Sequence, residues 1–170
     1  MEVAGKVLYH IHRKTCEANQ WYVGNTIEFS KMQYNYYFNY YNQNNIRKSG
    51  SDFSSEQKIK EYAILIRELV YEEVRNSNFP WLPSRRHCVW LCDKDSLKFW
   101  GNNLHNDYEI YKVKAIGNLH KCYADSLDDE NINYAILYKK AMDYWTGICY
   151  GNPLEKEYLL EGRINIVERI

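Results

Sequence analysis

Chain breakers are scarce in this sequence, and long apolar runs are missing from it. Only three prolines occur in 170 residues, and two of them fall together in Phe79-Pro80-Trp81-Leu82-Pro83, so most of the chain is free to form regular elements. No apolar stretch approaches the ~18 residues of a membrane-crossing helix, and Met1 to Val7 lacks the apolar core of a secretion signal. A cytoplasmic protein with no membrane partner is therefore expected. Net charge is absent too: 22 Lys and Arg stand against 22 Asp and Glu, so no overall field draws the chain to nucleic acid or anionic lipid. The five cysteines, Cys16, Cys88, Cys92, Cys122 and Cys149, are odd in number and form no CxxC pair. That pattern argues against a disulfide framework and a zinc site, and predicts buried free thiols and no metal. What the chain has in quantity is aromatic, with 17 Tyr, 5 Trp and 5 Phe. Tyrosine packs while still offering a hydroxyl, which suits a groove that holds a flat ligand. The length and the 45% hydrophobic content fit one domain over residues 1–170 with a core of its own.

Periodicity places the elements. Val7 to His12 alternates, with Val7, Tyr9 and Ile11 on one face of a strand and Leu8, His10 and His12 on the other. A turn at Gly24-Asn25 leads to a short strand ending at Phe29, and Tyr34 to Asn45 reads as a helical or irregular loop. Ser54 or Ser55 caps a helix whose stripe of Ile59, Tyr62, Ala63, Ile66, Leu69, Val70 and Val74 is expected to be buried. Its solvent side would carry Lys60, Arg67, Tyr71 and Arg75. After the two prolines, Arg86 to Cys92 reads as a buried strand, and Asp93 or Asp95 caps a brief helix through Leu97, Phe99 and Trp100. Tyr108 to Ile116 alternates as a strand that stops before Gly117. Asp128, Asp129 and Glu130 precede a second main helix from Tyr134 to Trp145, ended by Gly147. The tail reads as two strand segments joined at Glu161-Gly162. The fold class is α+β.

Three places carry polar groups that packing does not require. His10 and His12 share one strand face; a metal would need a third ligand that no nearby motif supplies, whereas a strand histidine can also hydrogen-bond a ligand hydroxyl. Ser84-Arg85-Arg86-His87 enters a strand from a loop, where arginine forks suit phosphates. In Glu155-Lys156-Glu157, two carboxylates share one side if the segment is extended. One could then stabilise a developing cation while the other positions a nucleophile.

The order of these pieces resembles the ADP-ribosyltransferase superfamily: a first strand ending Leu8-Tyr9-His10, a central Ser84 to Cys92 run followed by a helix, and a late Glu155-Lys156-Glu157. Arg67-Glu68 to Arg75 and Phe79-Pro80 to Arg85 also resemble an uncharacterised bacterial and phage family associated with that superfamily. The resemblance implies a split β-sheet with two main helices that grips NAD. It implies His10 as the first-strand contact, Glu157 as the catalytic carboxylate and Glu155 as its upstream partner. Ser84 would lie near the middle motif, Arg85 or Arg86 near the diphosphate, and Tyr9 or Trp90 against the nicotinamide ring. The implied activity transfers ADP-ribose from NAD to a macromolecule, protein or nucleic acid, in the manner of a toxin or phage effector. NAD glycohydrolase chemistry and a non-catalytic nucleotide- or protein-binding module of the same fold are the alternatives.

Overall fold

The computed structural model describes residues 1–13, 20–30, 34–41, 54–103, 107–127 and 133–170. Among these, the elements run β1 (Glu2–Arg13), β2 (Thr26–Phe29), α1 (Tyr36–Tyr40), α2 (Ser55–Asn78), β3 (Val89–Leu91), α3 (Leu97–Asn103), β4 (Tyr108–Tyr123), α4 (Tyr134–Thr146) and β5 (Lys156–Arg169). The architecture is α+β, with one antiparallel sheet of five strands ordered β1-β4-β5-β2 and β3 also paired to β5. Tyr9 and Cys92 form a further antiparallel bridge, with backbone bonds of 2.9 and 2.8 Å, which ties the end of β3 to the free edge of β1. No helix among the described residues is long and apolar enough to cross a membrane.

Alternation in the strands divides the core into two faces. On one face, Leu8, Val89, Leu91, Val113, Ala115, Leu119, Leu160 and Ile164 pack together. On the other, Cys88, Cys122 and Leu159 meet Val70, Tyr71 and Val74 of α2 and Leu137, Ala141, Tyr144 and Trp145 of α4. Leu8, His10 and His12 lie on the same face of β1, as the sequence pattern requires, because they pair with Val113, Tyr111 and Glu109. Cys88, Cys92 and Cys122 are free and buried while Cys149 is exposed; Cys16 lies outside the described residues, as do residues 42–45 and the acids at 128–130.

Helix starts and stops follow local chemistry. Ser54 caps α2 in a reciprocal capping box with Gln57, worth about 1 kcal/mol, and Asn133 caps α4. Gly147 closes α4 in the left-handed region at φ 72°.

Four expectations change. The face that α2 buries is only part of the expected stripe: Ala63, Val70 and Val74 are buried, but Ile59, Tyr62, Ile66 and Leu69 are exposed, and Arg67, Glu68, Tyr71, Glu72 and Arg75 are buried in their place. Charges go inside only when partners await them, and here partners override the count of apolar side chains. The strand expected from Arg86 to Cys92 shrinks to Val89–Leu91, because Ser84 O accepts from His87 N and Cys88 N in a turn. β4 runs on through Gly117 to Tyr123, and β5 is one strand through Gly162. Gly117 pairs with Gly162 at φ +131° and +143°, and a Cβ on either would meet opposing backbone at 2.6 or 2.3 Å, so both strands continue there only as glycine.

Candidate functional site

Between the sheet and α2 lies a cluster of buried charges built around Arg85. Glu68 and Glu72 stand one turn apart on the inward face of α2, and the turn after Pro83 sends Arg85 back beneath them. Arg85 grips Glu68 as a fork, with Nε to Oε2 at 2.8 Å and Nη2 to Oε1 at 3.1 Å. Its Nη1 reaches Glu157 Oε1 at 3.0 Å and the hydroxyl of Tyr144, which in turn donates to Glu157 Oε1. Arg67 donates to Glu68 Oε1 at 2.8 Å and to the Tyr37 hydroxyl at 2.9 Å. Glu72 accepts from Ser84 Oγ (2.7 Å), the Arg85 amide (2.8 Å) and Arg75 Nε (3.1 Å). Three guanidinium groups thus face three carboxylates, none of them more than 9% exposed at the side chain.

The electrostatics follow from that pairing. Burial pushes Glu68 up, but Arg85 and Arg67 outweigh it and hold the carboxyl below its ordinary range. Burial opposes the charge on Arg85, and Glu68, Tyr144 and Glu157 more than restore it. Burial likewise pushes up the Tyr144 hydroxyl and the Cys88 and Cys122 thiols, despite the nearby Arg85 charge.

The late glutamate sits at the start of β5 opposite Cys122, on the face that carries Leu159 and the helices. Only Oε1 of Glu157 is engaged. Oε2 bonds to no described residue. Trp90 neighbours this arrangement: its ring lies 5.6 Å from Arg85 Cζ and meets Tyr37 edge-on at 5.4 Å.

From the opposite face of the sheet, His10 reaches the same strand, donating from Nδ1 to the Trp90 carbonyl at 2.9 Å and stacking on Trp21 at 4.1 Å. Burial, with His12 adding to it, lowers His10 to about 4 despite the carbonyl contact, so the ring is neutral near pH 7 with its lone pair on Nε2. Of the residues singled out in the sequence, Ser84, Arg85, Trp90 and Glu157 come together, and His10 joins them only through the Trp90 backbone. Tyr9 is fixed by its bridge to Cys92 and points away from His10. Glu155 stands apart. Pro153 and the Asn152 cap wind residues Pro153–Glu155 into a 3-10 turn, so the segment is not extended and the two glutamates are not paired on one strand face. Burial, with Asp125 nearby, raises Glu155.

Sequence reasoning missed Tyr37, Arg67, Glu68, Glu72 and Tyr144. A signal existed for two of them: Glu68 and Glu72 share a helix face with Ile64 and Arg75, so one side of α2 carries opposite charges at helical spacing. Over residues 8–170 the chain matches the family described as "Protein of unknown function (DUF2441)", and it belongs to that family. No curated protein matches it.

Proposed function

We propose that the chain is an enzyme of the ADP-ribosyltransferase kind, which cleaves the nicotinamide-ribose bond of NAD and passes ADP-ribose to a macromolecular nucleophile. The observation that carries this reading is the clamped carboxylate of Glu157, with Oε1 held by Arg85 and Tyr144 while Oε2 bonds to no described residue. A group held in this way is preorganised to accept the ribose 2′-hydroxyl and to stabilise positive charge at C1′ as nicotinamide leaves. The acceptor's oxygen or nitrogen then bonds to C1′ and releases its proton. Arg85 and Tyr144 act as positioning residues, and the Trp90 ring is placed to shield the reacting bond from water. The connection of β1 to β3 through Tyr9 and Cys92, and of β3 to the start of β5, supports a split sheet of that superfamily.

Adenine-labelled NAD incubated with the protein and a cell lysate tests the reading. Nicotinamide is expected to be released, with label on a macromolecule for a transferase or in free ADP-ribose for a glycohydrolase. Glu157→Gln should lower the rate about a hundredfold or more, the loss of roughly 3 kcal/mol of transition-state stabilisation. A folded Glu157→Gln protein with full turnover would overturn the assignment. A second reading, a module that binds a nucleotide without cleaving it, is favoured by the burial of Glu157 to 7% exposure. NAD binding without nicotinamide release would select it.

A further inference from the structure

The turn between α2 and β3 borders a half-open pocket of about 280 Å³, lined by Glu72, Arg75, Asn76, Ser84, Arg86 and His87. Its carboxylate is already satisfied: Glu72 accepts three hydrogen bonds and faces the Arg75 guanidinium. Arg75 is also committed, through Nη1 to the Leu82 and Pro80 carbonyls (3.1 and 3.5 Å) and through Nη2 to Asn76 Oδ1. That last contact turns the Asn76 amide so that its NH2 group is the end left to donate.

Arg86 differs from its neighbours. Its guanidinium rests over the Phe38 ring, with Cζ 4.9 Å from the centroid, and it makes no side-chain hydrogen bond or ion pair with a described residue. Its Nε is shut off from solvent without a partner. The backbone beneath is fixed: Asn35 N donates to Arg86 O at 2.8 Å, Asn35 Nδ2 donates to Arg85 O and Cys88 O, and Arg86 N donates to Ser84 Oγ at 3.1 Å. Two Nη groups that bond to no described residue, held on a rigid turn beside a neutralised carboxylate, form a receptor for a tetrahedral oxyanion.

We propose that this pocket binds a phosphate group, carried as a phosphate monoester or a diphosphate, with Arg86 as its principal ligand and Asn76 as a second donor. The inference does not rest on the NAD reading, because neither Glu157 nor His10 lines the pocket.

The full chain is titrated with inorganic phosphate, AMP and ADP-ribose, following the Arg86 Nε–H resonance and the affinity by calorimetry. All three should move that resonance, and Arg86→Gln should weaken binding about tenfold or more with Arg86→Lys falling between. Inorganic phosphate binding as tightly as ADP-ribose marks a phosphate monoester site, whereas much tighter ADP-ribose that competes with NAD marks a diphosphate site. An Arg86 resonance that ignores every probe at millimolar concentration, or an unchanged affinity in folded Arg86→Gln, overturns the proposal. The wild-type resonance decides the matter even if Arg86→Gln fails to fold. Nicotinamide release is scored separately: cleavage without phosphate binding sinks this inference alone, and the reverse sinks the NAD reading alone.

Discussion

Arg85 and Glu68 meet as a two-pronged ion pair 17 residues apart in sequence, with their side chains 4% and 1% exposed. Because the same guanidinium also holds Glu157, the geometry of the late glutamate depends on α2 through Arg85.

Removing the charge at Arg85 should therefore be costly. Arg85→Gln leaves Glu157 without a cation and Glu68 with Arg67 alone, and the expected loss is about 3 to 5 kcal/mol, read as a fall in the urea midpoint. Lys112 and Glu168 form a pair at 3.2 Å with side chains 36% and 56% exposed, so Lys112→Gln should cost under about 1 kcal/mol. Equal losses in the two variants would show that the buried cluster is not the stronger element.

Stability should decline as pH falls from about 6.5 towards 4. The unfolded chain takes up a proton at His10 near its ordinary value of 6.5, while the folded chain refuses it until about 4, so acid favours the unfolded state across that window. His120, lowered to about 4 by burial and by the amino-terminal charge, adds to the same slope. Urea unfolding at a series of pH values should give a shallower decline for His10→Asn, which keeps a donor for the Trp90 carbonyl. A slope identical to wild type would mean that His10 is not held neutral.

Gly162→Ala and Gly117→Ala should each destabilise the sheet by about 1 to 3 kcal/mol from backbone strain, with steric overlap adding to it. At Gly5, where φ is +95° but no atom lies within 4 Å of an added Cβ, alanine should cost less than at Gly162, where the nearest backbone oxygen is at 2.3 Å. Thermal midpoints of the three variants rank them directly, and a larger loss at Gly5 would contradict the close pairing of the two strands.

Thiol reactivity should separate the cysteines. Cys149 is exposed and should react with a disulfide reagent at once, whereas burial and raised pKa keep Cys88 and Cys122 protonated and out of reach. Labelling followed by peptide mapping should find Cys88 and Cys122 modified only when the protein unfolds.

The parts of this molecule that could be read from the sequence are those whose signal is local. Period-two alternation placed His10 and His12 on one face of β1, the serines at 54 and 55 marked the start of α2, and Gly147 marked the end of α4. The orientation of α2 could not be read in the same way. Ile59, Tyr62, Ile66 and Leu69 of its apolar stripe are left outside while Ala63, Val70 and Val74 go in, and the reason for that rotation lies in Arg85, Ser84 and Tyr37, which belong to different segments. Arg85 and Arg86 illustrate the same limit at closest range. Adjacent in sequence and identical in chemistry, they are sent by one tight turn to opposite fates, one into the charged interior and the other to the pocket beside Phe38. The continuity of β5 was hidden because Glu161-Gly162 looks like a hairpin turn until a second glycine is seen facing it across the ladder.

The pairing of the strands also dictates an order of assembly during synthesis. Among the described residues, β2 and β3 have no strand partner except β5, apart from the single Cys92 bridge to β1, and Glu157 belongs to β5 as well. While a ribosome is still translating the residues before Lys156, two strands wait with open edges and Arg85 waits for one of its two carboxylates. A nascent chain paused at that point would expose the surfaces that chaperones recognise, and release of the last strand would close the sheet and the charged cluster in a single step.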